Sequence, residues 1–245
     1  MRRFYKEDLS EHSTRAEVAG EEFYHLKKVL RLAPGASVFL FNGKGLELSG
    51  RIEEVGKSSA SVIIDGSSSG ERESPLDFVL LQALLKGDRP EFIIQKATEL
   101  GIREVCFYNT SRTIPRVSSD KEAVRQARWK KAAIEAAKQC GRTVLPEINY
   151  APDLKGALKG HDENLKLLLW EKEGAVGLKE ALKGARGKHG VSVLVGPEGG
   201  LSPGEAAEAV GAGFVKAGLG PRILRAETAA LAIMSIVQYI LGDLG

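Results

Sequence analysis

The sequence predicts an α/β fold, with a mostly parallel sheet in the larger C-terminal part of the chain and a small β-rich domain before it. Beyond about residue 74, short apolar runs alternate with helical patterns, which is the order of βαβ units. Two of these runs, residues 191–195 and 214–217, end in glycine-rich turns that lead into helix starts. Because such turns expose backbone N–H groups, we expect two neighbouring loops that bind a ligand.

The first domain is predicted from short segments that are separated by turn residues. Residues 37–41 are apolar and extended, Asn42-Gly43 suits a tight hairpin turn, and residues 59–64 alternate between apolar and polar side chains. One helix, residues 21–30, carries an apolar stripe of Phe23, Leu26, Val29 and Leu30. Together these segments indicate a small β-rich module that contains one helix.

The boundary between the two domains is predicted near residue 73. Residues 65–74 are small and polar and contain no apolar side chain, so they fit a linker between two cores. Residues 1–73 and 74–245 are therefore expected to form separate domains.

The larger domain is predicted to alternate strands and helices along its length. The predicted strands are residues 78–81, 105–108, 165–170 and 191–195. The predicted helices are residues 90–100, 120–139 and 177–183, followed by a last helix from about Glu227. Glycine follows the first two helices, at Gly101 and Gly141, where a left-handed C-cap is expected.

Composition bounds the class of protein. The chain has 245 residues, 27% of them charged, and a net charge of +3, which permits a nucleic-acid partner without establishing one. Two cysteines and four histidines make neither a disulfide framework nor a metal cluster, so we expect no metal and a reducing cytoplasm. No apolar run approaches the ~20 residues of a membrane span, so we expect no membrane partner.

The last helix is predicted to lie in a core or an interface. Residues 229–241 are apolar around most of the helix circumference and therefore need cover on more than one side. We expect a homodimer for this reason.

The first glycine loop precedes a well-specified helix start. Ser202 is an N-cap candidate, Pro203 suits the first helical position, and Glu205 completes a capping box. The cap does not require the three glycines between residues 196 and 200, which favour close approach of a ligand; the alternative is a tight strand-to-helix turn. The loop matches neither GxGxxG nor a Walker motif, which disfavours dinucleotide binding.

The second glycine loop sets arginines beside a helix start. Arg222 and Arg225 are suited to bidentate recognition of phosphate or carboxylate, although a surface ion pair explains them equally well. Glu227 also has a structural explanation, because an acidic residue stabilises a helix N-terminus.

Several motifs resemble the ribosomal RNA small subunit methyltransferase E family, in colinear order over nearly the whole chain. They are HLKKVLRLAPG (25–35), LLKGDRPEFIIQKATELGI (84–102), SRT (111–113), RWKKAAIEAAKQCGR (128–142), LVGPEGGLS (194–202) and GLGPRILRAETAAL (218–231). The resemblance implies a SPOUT-type α/β knot, with a deep C-terminal trefoil knot, after a PUA-like β-barrel domain. It further implies S-adenosylmethionine as cofactor, a homodimer, and methylation of uridine N3 in 16S-type ribosomal RNA, as free RNA or in the small ribosomal subunit.

The resemblance also assigns residues to the site. Its cofactor-binding residues would be Leu169, Gly196, Pro197, Glu198, Gly199, Gly200, Leu219, Gly220, Ile223 and Leu224. Small residues would admit the ligand and the apolar ones would pack its faces, so a bulky side chain at Gly199 should block the pocket. The uracil imide is protonated at neutral pH, so Glu198 and Glu227 are candidate bases. Arg225, Arg112 and Arg222 are candidates for binding the target phosphate or the developing oxyanion.

Basic side chains in both domains are candidates for contacts with RNA phosphates. They are Lys27, Lys28, Arg31, Arg112, Arg125, Arg128 and Arg222. A charged, solvated helix face is the alternative reading of each residue taken singly, and His25 is interpreted as structural.

Two positions depart from the family pattern. Ala226 stands where the family has threonine and lacks the hydroxyl that could cap the last helix or contact a ligand. Arg89-Pro90 replaces a Lys-Met type pair, which leaves contacts of those side chains open.

Two alternative functions remain. One is methylation of a different target, such as a ribose 2′-hydroxyl or another base, and the other is a non-catalytic role as an RNA-binding assembly factor.

Overall fold

The computed structural model describes residues 2–68, 72–113, 119–161, 165–172, 174–185, 187 and 189–245. The chain forms two compact units: Met1–Glu73 with Ile134–Leu145, and Ser74–Ala133 with Pro146–Gly245. None of the described helices is long and apolar enough to cross a membrane.

The smaller unit is built on a five-stranded sheet. In sheet order its strands are β1 (Arg3–Tyr5), β3 (Ser37–Phe41), β4 (Glu47–Val55), β5 (Ser59–Ser67) and β2 (Arg15–Ala19). β1 and β3 are parallel, and the other neighbours are antiparallel. Alternate residues such as Val38 and Leu40 are buried with Phe4 and Val62, so the predicted β-rich module with its period of two is confirmed.

Two details of this unit differ from expectation. The hairpin between β3 and β4 has a five-residue loop rather than a tight turn, because Asn42 Oδ1 accepts hydrogen bonds from the amides of Lys44 and Leu46, at 2.8 and 3.1 Å. The predicted linker begins too early, since residues 65–67 belong to β5 and Asp65 pairs with Arg51 at 2.9 Å. Residues 69–71 of that linker lie outside the described part of the chain.

The helix predicted at residues 21–30 changes type halfway. α1 (Gly20–Tyr24) is followed by a π-helical turn, His25–Val29. Phe23 and Leu26 are buried as expected, but Val29 is 59% exposed, because the wider turn rotates it off the apolar stripe.

The larger unit is built on a seven-stranded, all-parallel sheet. Its strands, in sheet order, are β10 (Val176–Gly177), β12 (Val215–Gly218), β9 (Leu165–Leu169), β11 (Gly190–Val195), β6 (Asp77–Ala83), β7 (Glu104–Tyr108) and β8 (Glu147–Ala151). Every residue of β7 and β11 is buried, which explains why these strands are mostly apolar rather than alternating. The predicted parallel α/β sheet is thus confirmed.

Helices connect these strands close to the predicted positions. They are α2 (Arg89–Glu99), α3 (Ser119–Cys140), α4 (Leu154–Ala157), α5 (Leu178–Ala181), α6 (Pro203–Gly211) and α7 (Ala226–Leu241). The strand order places the carboxyl ends of β9, β11 and β12 side by side. The trefoil knot stays a prediction of the family resemblance.

Candidate functional site

A cavity of about 800 Å³ opens where β9, β11 and β12 end. Carboxyl ends of neighbouring parallel strands meet at one edge of a sheet, which is where open α/β sheets bind ligands. The two glycine loops follow β11 and β12, and both line this cavity. All ten residues that the sequence assigned to the cofactor lie on its walls: Leu169, Gly196, Pro197, Glu198, Gly199, Gly200, Leu219, Gly220, Ile223 and Leu224.

The glycines of the first loop differ in how strongly the backbone conformation and the neighbouring atoms require glycine. Gly200 has φ +67, its amide bonds to the Pro197 carbonyl at 2.9 Å, and a Cβ here would lie 3.0 Å from Glu171 Oε1. A Cβ on Gly196 would lie 3.2 Å from Leu201 Cγ, whereas one on Gly199 would make ordinary contacts of 3.7 Å with Arg112. Gly200 is therefore the most restricted glycine of this loop.

The predicted capping box of α6 is confirmed, and its glutamate has a second role. Ser202 Oγ accepts from the Glu205 amide at 3.2 Å, and Glu205 Oε2 accepts from the Ser202 amide at 2.7 Å. Glu205 Oε1 also accepts from the Ser111 amide at 2.7 Å. Burial alone would raise the pKa of Glu205, but the hydrogen bonds from Ser111 and Ser202 lower this pKa below its ordinary value.

We expect Glu205→Gln to destabilise the protein in a pH-dependent way. Because the pKa of Glu205 is lowered on folding from 4.5, its charge stabilises the protein above that pH, and the gain is lost as pH falls through the folded-state pKa. At pH 7 the variant should lose about 1 kcal/mol of unfolding free energy. Denaturant unfolding of both proteins between pH 7 and pH 3 measures this, and a difference that did not shrink toward low pH would contradict it.

Three side chains contact the backbone of the first loop and the end of the strand before it: Tyr108 and Gln82, which are buried, and Arg112, which is exposed. Arg112 Nη1 donates to the Gly199 carbonyl at 2.8 Å. Tyr108 Oη donates to the Val195 carbonyl at 3.0 Å, and burial raises the pKa of Tyr108 well above its ordinary value. Gln82 Nε2 lies 3.5 Å from the Gly196 carbonyl. Sequence reasoning missed Tyr108 and Gln82, although a glutamine inside the apolar run FVLLQALL was a usable signal.

The two candidate bases meet at one arginine that was not predicted to be in the site. Arg89 Nη1 donates to Glu198 Oε1, and Arg89 Nε lies 3.6 Å from Glu227 Oε1. The Glu227 side chain is only 16% exposed, and its Oε2 is buried with no hydrogen-bond partner in the part of the chain that the structure describes. The site thus holds one guanidinium between two carboxylates.

The start of α7 corrects the expectation for Ala226. Arg225 is the N-cap, with φ −62 and ψ 151, and Ala226 is the first helical residue. A hydroxyl at position 226 would therefore not occupy the N-cap, so the alanine does not remove a cap. Arg222 and Arg225 are exposed and line the cavity, and neither forms an ion pair among the described residues.

The candidate RNA-binding side chains differ in how free they are. Lys28 and Arg31 are exposed, but Lys27 Nζ donates to the Gly56 carbonyl at 2.6 Å and lies over the Phe23 ring. Arg31 has φ +51, in the left-handed region that few non-glycine residues adopt. The Lys27 ammonium is thus already engaged in contacts within the smaller unit.

On α3 the two predicted arginines also have local contacts. Arg128 Nη2 pairs with Glu91 Oε1 at 2.7 Å, and Arg125 lies 5.8 Å over the Trp129 ring. The Arg128 side chain remains 63% exposed, so its pairing leaves room for a further partner.

In the described ranges no three His, Cys, Asp or Glu side chains come together as a metal site.

Comparisons with known proteins add independent observations. A family model described as an RNA methyltransferase domain matches residues 72–238, and one described as an RNA methyltransferase PUA domain matches residues 18–65. Ribosomal RNA small subunit methyltransferase E of Bacillus subtilis (strain 168) is 31% identical over 249 residues, which cover 98% of this chain and 96% of that protein.

Two solved structures are similar over their full length. Ribosomal RNA small subunit methyltransferase E from Neisseria gonorrhoeae, bound to S-adenosyl methionine, has a TM-score of 0.90 and 33% identity, with 100% of both chains covered. A methyltransferase from Legionella pneumophila, solved in complex with the cofactor SAM, has a TM-score of 0.92 and 34% identity, with 99% of both chains covered.

Proposed function

Because the chain belongs to the ribosomal RNA small subunit methyltransferase E family, we propose that it transfers a methyl group from S-adenosylmethionine to N3 of a uridine in small-subunit, 16S-type ribosomal RNA. The observation that carries this proposal is that both glycine loops line one and the same cavity. The base, the ring atom and the cofactor are the parts of the proposal that experiment must test.

The residues around the cavity fit S-adenosylmethionine. A volume of about 800 Å³ is within the range of small-molecule sites, and Leu169, Trp170 and Leu224 give it apolar walls. Gly200 and Gly196 keep the loop free of side chains where it bends beside the cavity. When bound, S-adenosylmethionine supplies an electrophilic methyl group on a sulfonium.

The charged side chains suggest a division of roles. Methylation at N3 releases the imide proton, and we assign its acceptor to Glu227, whose Oε2 is buried and unpartnered in the described structure. Arg225 and Arg222 line the cavity, form no ion pair among the described residues, and suit the phosphate of the target nucleotide or the negative charge that develops on the uracil oxygens. Arg112 is committed to the Gly199 carbonyl and would act by holding the loop.

Nucleoside analysis of ribosomal RNA tests the proposed function. Small-subunit RNA from cells that lack the gene should lack one 3-methyluridine, and the purified protein with S-adenosylmethionine should restore it. Free RNA and isolated small subunits should be offered side by side, since either is a possible substrate. A 2′-O-methylated nucleoside or a different methylated base as the product would overturn the N3 assignment, and failure to bind the cofactor at millimolar concentration would favour a non-catalytic role.

We further propose that the protein acts as a homodimer in the cytoplasm, where ribosomal RNA is processed. The C-terminal end of the chain supports the dimer, because Tyr239 is 67%, Ile240 37% and Leu244 49% exposed. Light scattering at micromolar concentration should give twice the mass of one chain, and Tyr239→Asp should shift it toward the monomer. A wild-type monomer would refute this.

A further inference from the structure

Arg89 lines the cavity that both glycine loops also line. It is the first residue of α2, and it lines the cavity together with Glu198 of the first loop and Glu227 at the start of α7. Its Nη1 donates to Glu198 Oε1 and its Nε faces Glu227 Oε1 at 3.6 Å. One guanidinium therefore links a carboxylate of the first loop to a carboxylate at the start of α7.

The position of Arg89 is fixed by the packing of α2 on α7. At the other end of these helices, Gln238 Nε2 donates to the Leu100 carbonyl at 2.7 Å, and Gln238 Oε1 accepts from Ser74 Oγ at 2.9 Å. Arg89 contacts the start of α7 and Leu100 contacts its end, so the two helices run in the same direction and are fastened at both ends. The packing of the two helices therefore places the backbone of Arg89 beside the start of α7.

The charges of this cluster depend on Arg89. Glu198 and Glu227 carry two negative charges, and the guanidinium reduces their sum to one. Glu227 is the most buried of the three, and a buried carboxylate is costly unless an opposite charge lies beside it. Arg89 faces Oε1 of Glu227, which leaves Oε2 as the oxygen without a partner in the described structure.

We propose that Arg89 is a positioning residue for methyl transfer, which holds Glu227 so that its Oε2 accepts the imide proton and, through Glu198, keeps the first glycine loop beside the start of α7. This inference rests on the proposed function. It adds a residue that acts through Glu227 and does not itself contact the uracil. In the step, the N3–H bond gives its proton to Oε2 and leaves its electron pair on nitrogen. The nitrogen takes the methyl group, while the electron pair of the broken carbon–sulfur bond stays on sulfur as a neutral thioether.

A double-mutant cycle between Arg89 and Glu227 tests this inference. Turnover is followed as S-adenosylhomocysteine, which is counted whatever nucleotide accepts the methyl group. We expect Arg89→Met to lower kcat by about 10- to 50-fold with KM for the cofactor changed less than about threefold. The kcat of the double variant should lie within about twofold of the kcat of Glu227→Gln alone, because Arg89 acts through that carboxylate.

Two further variants sharpen the cycle. Arg89→Lys should recover part of kcat, since it keeps the charge but loses the planar guanidinium that reaches both carboxylates. Lys96→Met removes another cation of α2, one that pairs with Glu99, and should leave turnover unchanged. Thermal unfolding of the free protein and calorimetry with S-adenosylmethionine accompany each variant.

Separate outcomes would overturn the inference and the proposed function. Independent, multiplicative losses in the cycle, an unchanged kcat in Arg89→Met, or cofactor affinity that falls as much as kcat would each refute the positioning role. A wild-type product other than 3-methyluridine would refute the proposed function. The double-mutant cycle would still test the coupling between Arg89 and Glu227, because it measures S-adenosylhomocysteine.

Discussion

Gly200→Val is expected to weaken the binding of S-adenosylmethionine by about 100-fold or more, equivalent to about 2.7 kcal/mol. Gly200 has φ +67, a conformation that a β-branched residue strongly resists. Its new Cβ would also stand 3.0 Å from Glu171 Oε1. The loop would relax into another conformation, and the ligand would have to restore the native one at the expense of its affinity.

Calorimetry measures this loss, with Gly204→Ala as the matched control. Gly204 lies four residues further on, in α6, where a Cβ would meet nothing within 4 Å and no positive φ is required. The control should bind the cofactor like the wild type and keep its thermal stability. Wild-type affinity in Gly200→Val would show that this loop does not hold the cofactor. The corresponding loss for a bulky residue at Gly199 stays a prediction.

Glu227→Gln is expected to lower kcat by about 100- to 1,000-fold, because a positioned general base contributes rate factors of this order. Glutamine has nearly the same shape as glutamate, so the space that the Glu227 side chain occupies beside Arg89 should stay filled. The cofactor should therefore bind with an affinity within about threefold of the wild type. Single-turnover methylation of small-subunit RNA, with saturating cofactor, isolates the chemical step.

Glu198→Gln is the comparison for this variant. Glu198 touches the same guanidinium but its side chain is 38% exposed, against 16% for Glu227, so we expect a loss of less than about tenfold. Equal losses in the two variants, or a larger loss at Glu198, would move the role of base from Glu227 to Glu198.

Features set by neighbouring residues were predictable from the sequence. The apolar runs located β6, β7, β9, β11 and β12, and the capping box at Ser202 is present as expected because its signals lie within four residues. β8 was missed, since Glu147–Ala151 is a partly exposed edge strand without an apolar run. The π-helical turn was missed as well, because its extra residue per turn leaves no mark in a pattern read with a period of 3.6.

Contacts between residues far apart in the chain were not predictable in this way. The cavity walls followed from the loop motifs, yet Arg89 is 109 residues from Glu198, and nothing in its local sequence indicates that partner. Tyr108 likewise reaches Val195 across 87 residues. Such pairs depend on strand order, which periodicity does not determine.

The bonds from Ser111 to Glu205 and from Arg112 to Gly199 have a thermodynamic consequence. They fasten residues 111–112 to the first glycine loop at Gly199 and to the following helix at Glu205, so ordering either segment carries part of the cost of ordering the other. By reciprocity, a nucleotide that contacts residues 111–113 should tighten the cofactor by the same factor by which the cofactor tightens the nucleotide. Hydrogen exchange should therefore show both segments becoming protected together when either ligand is added alone.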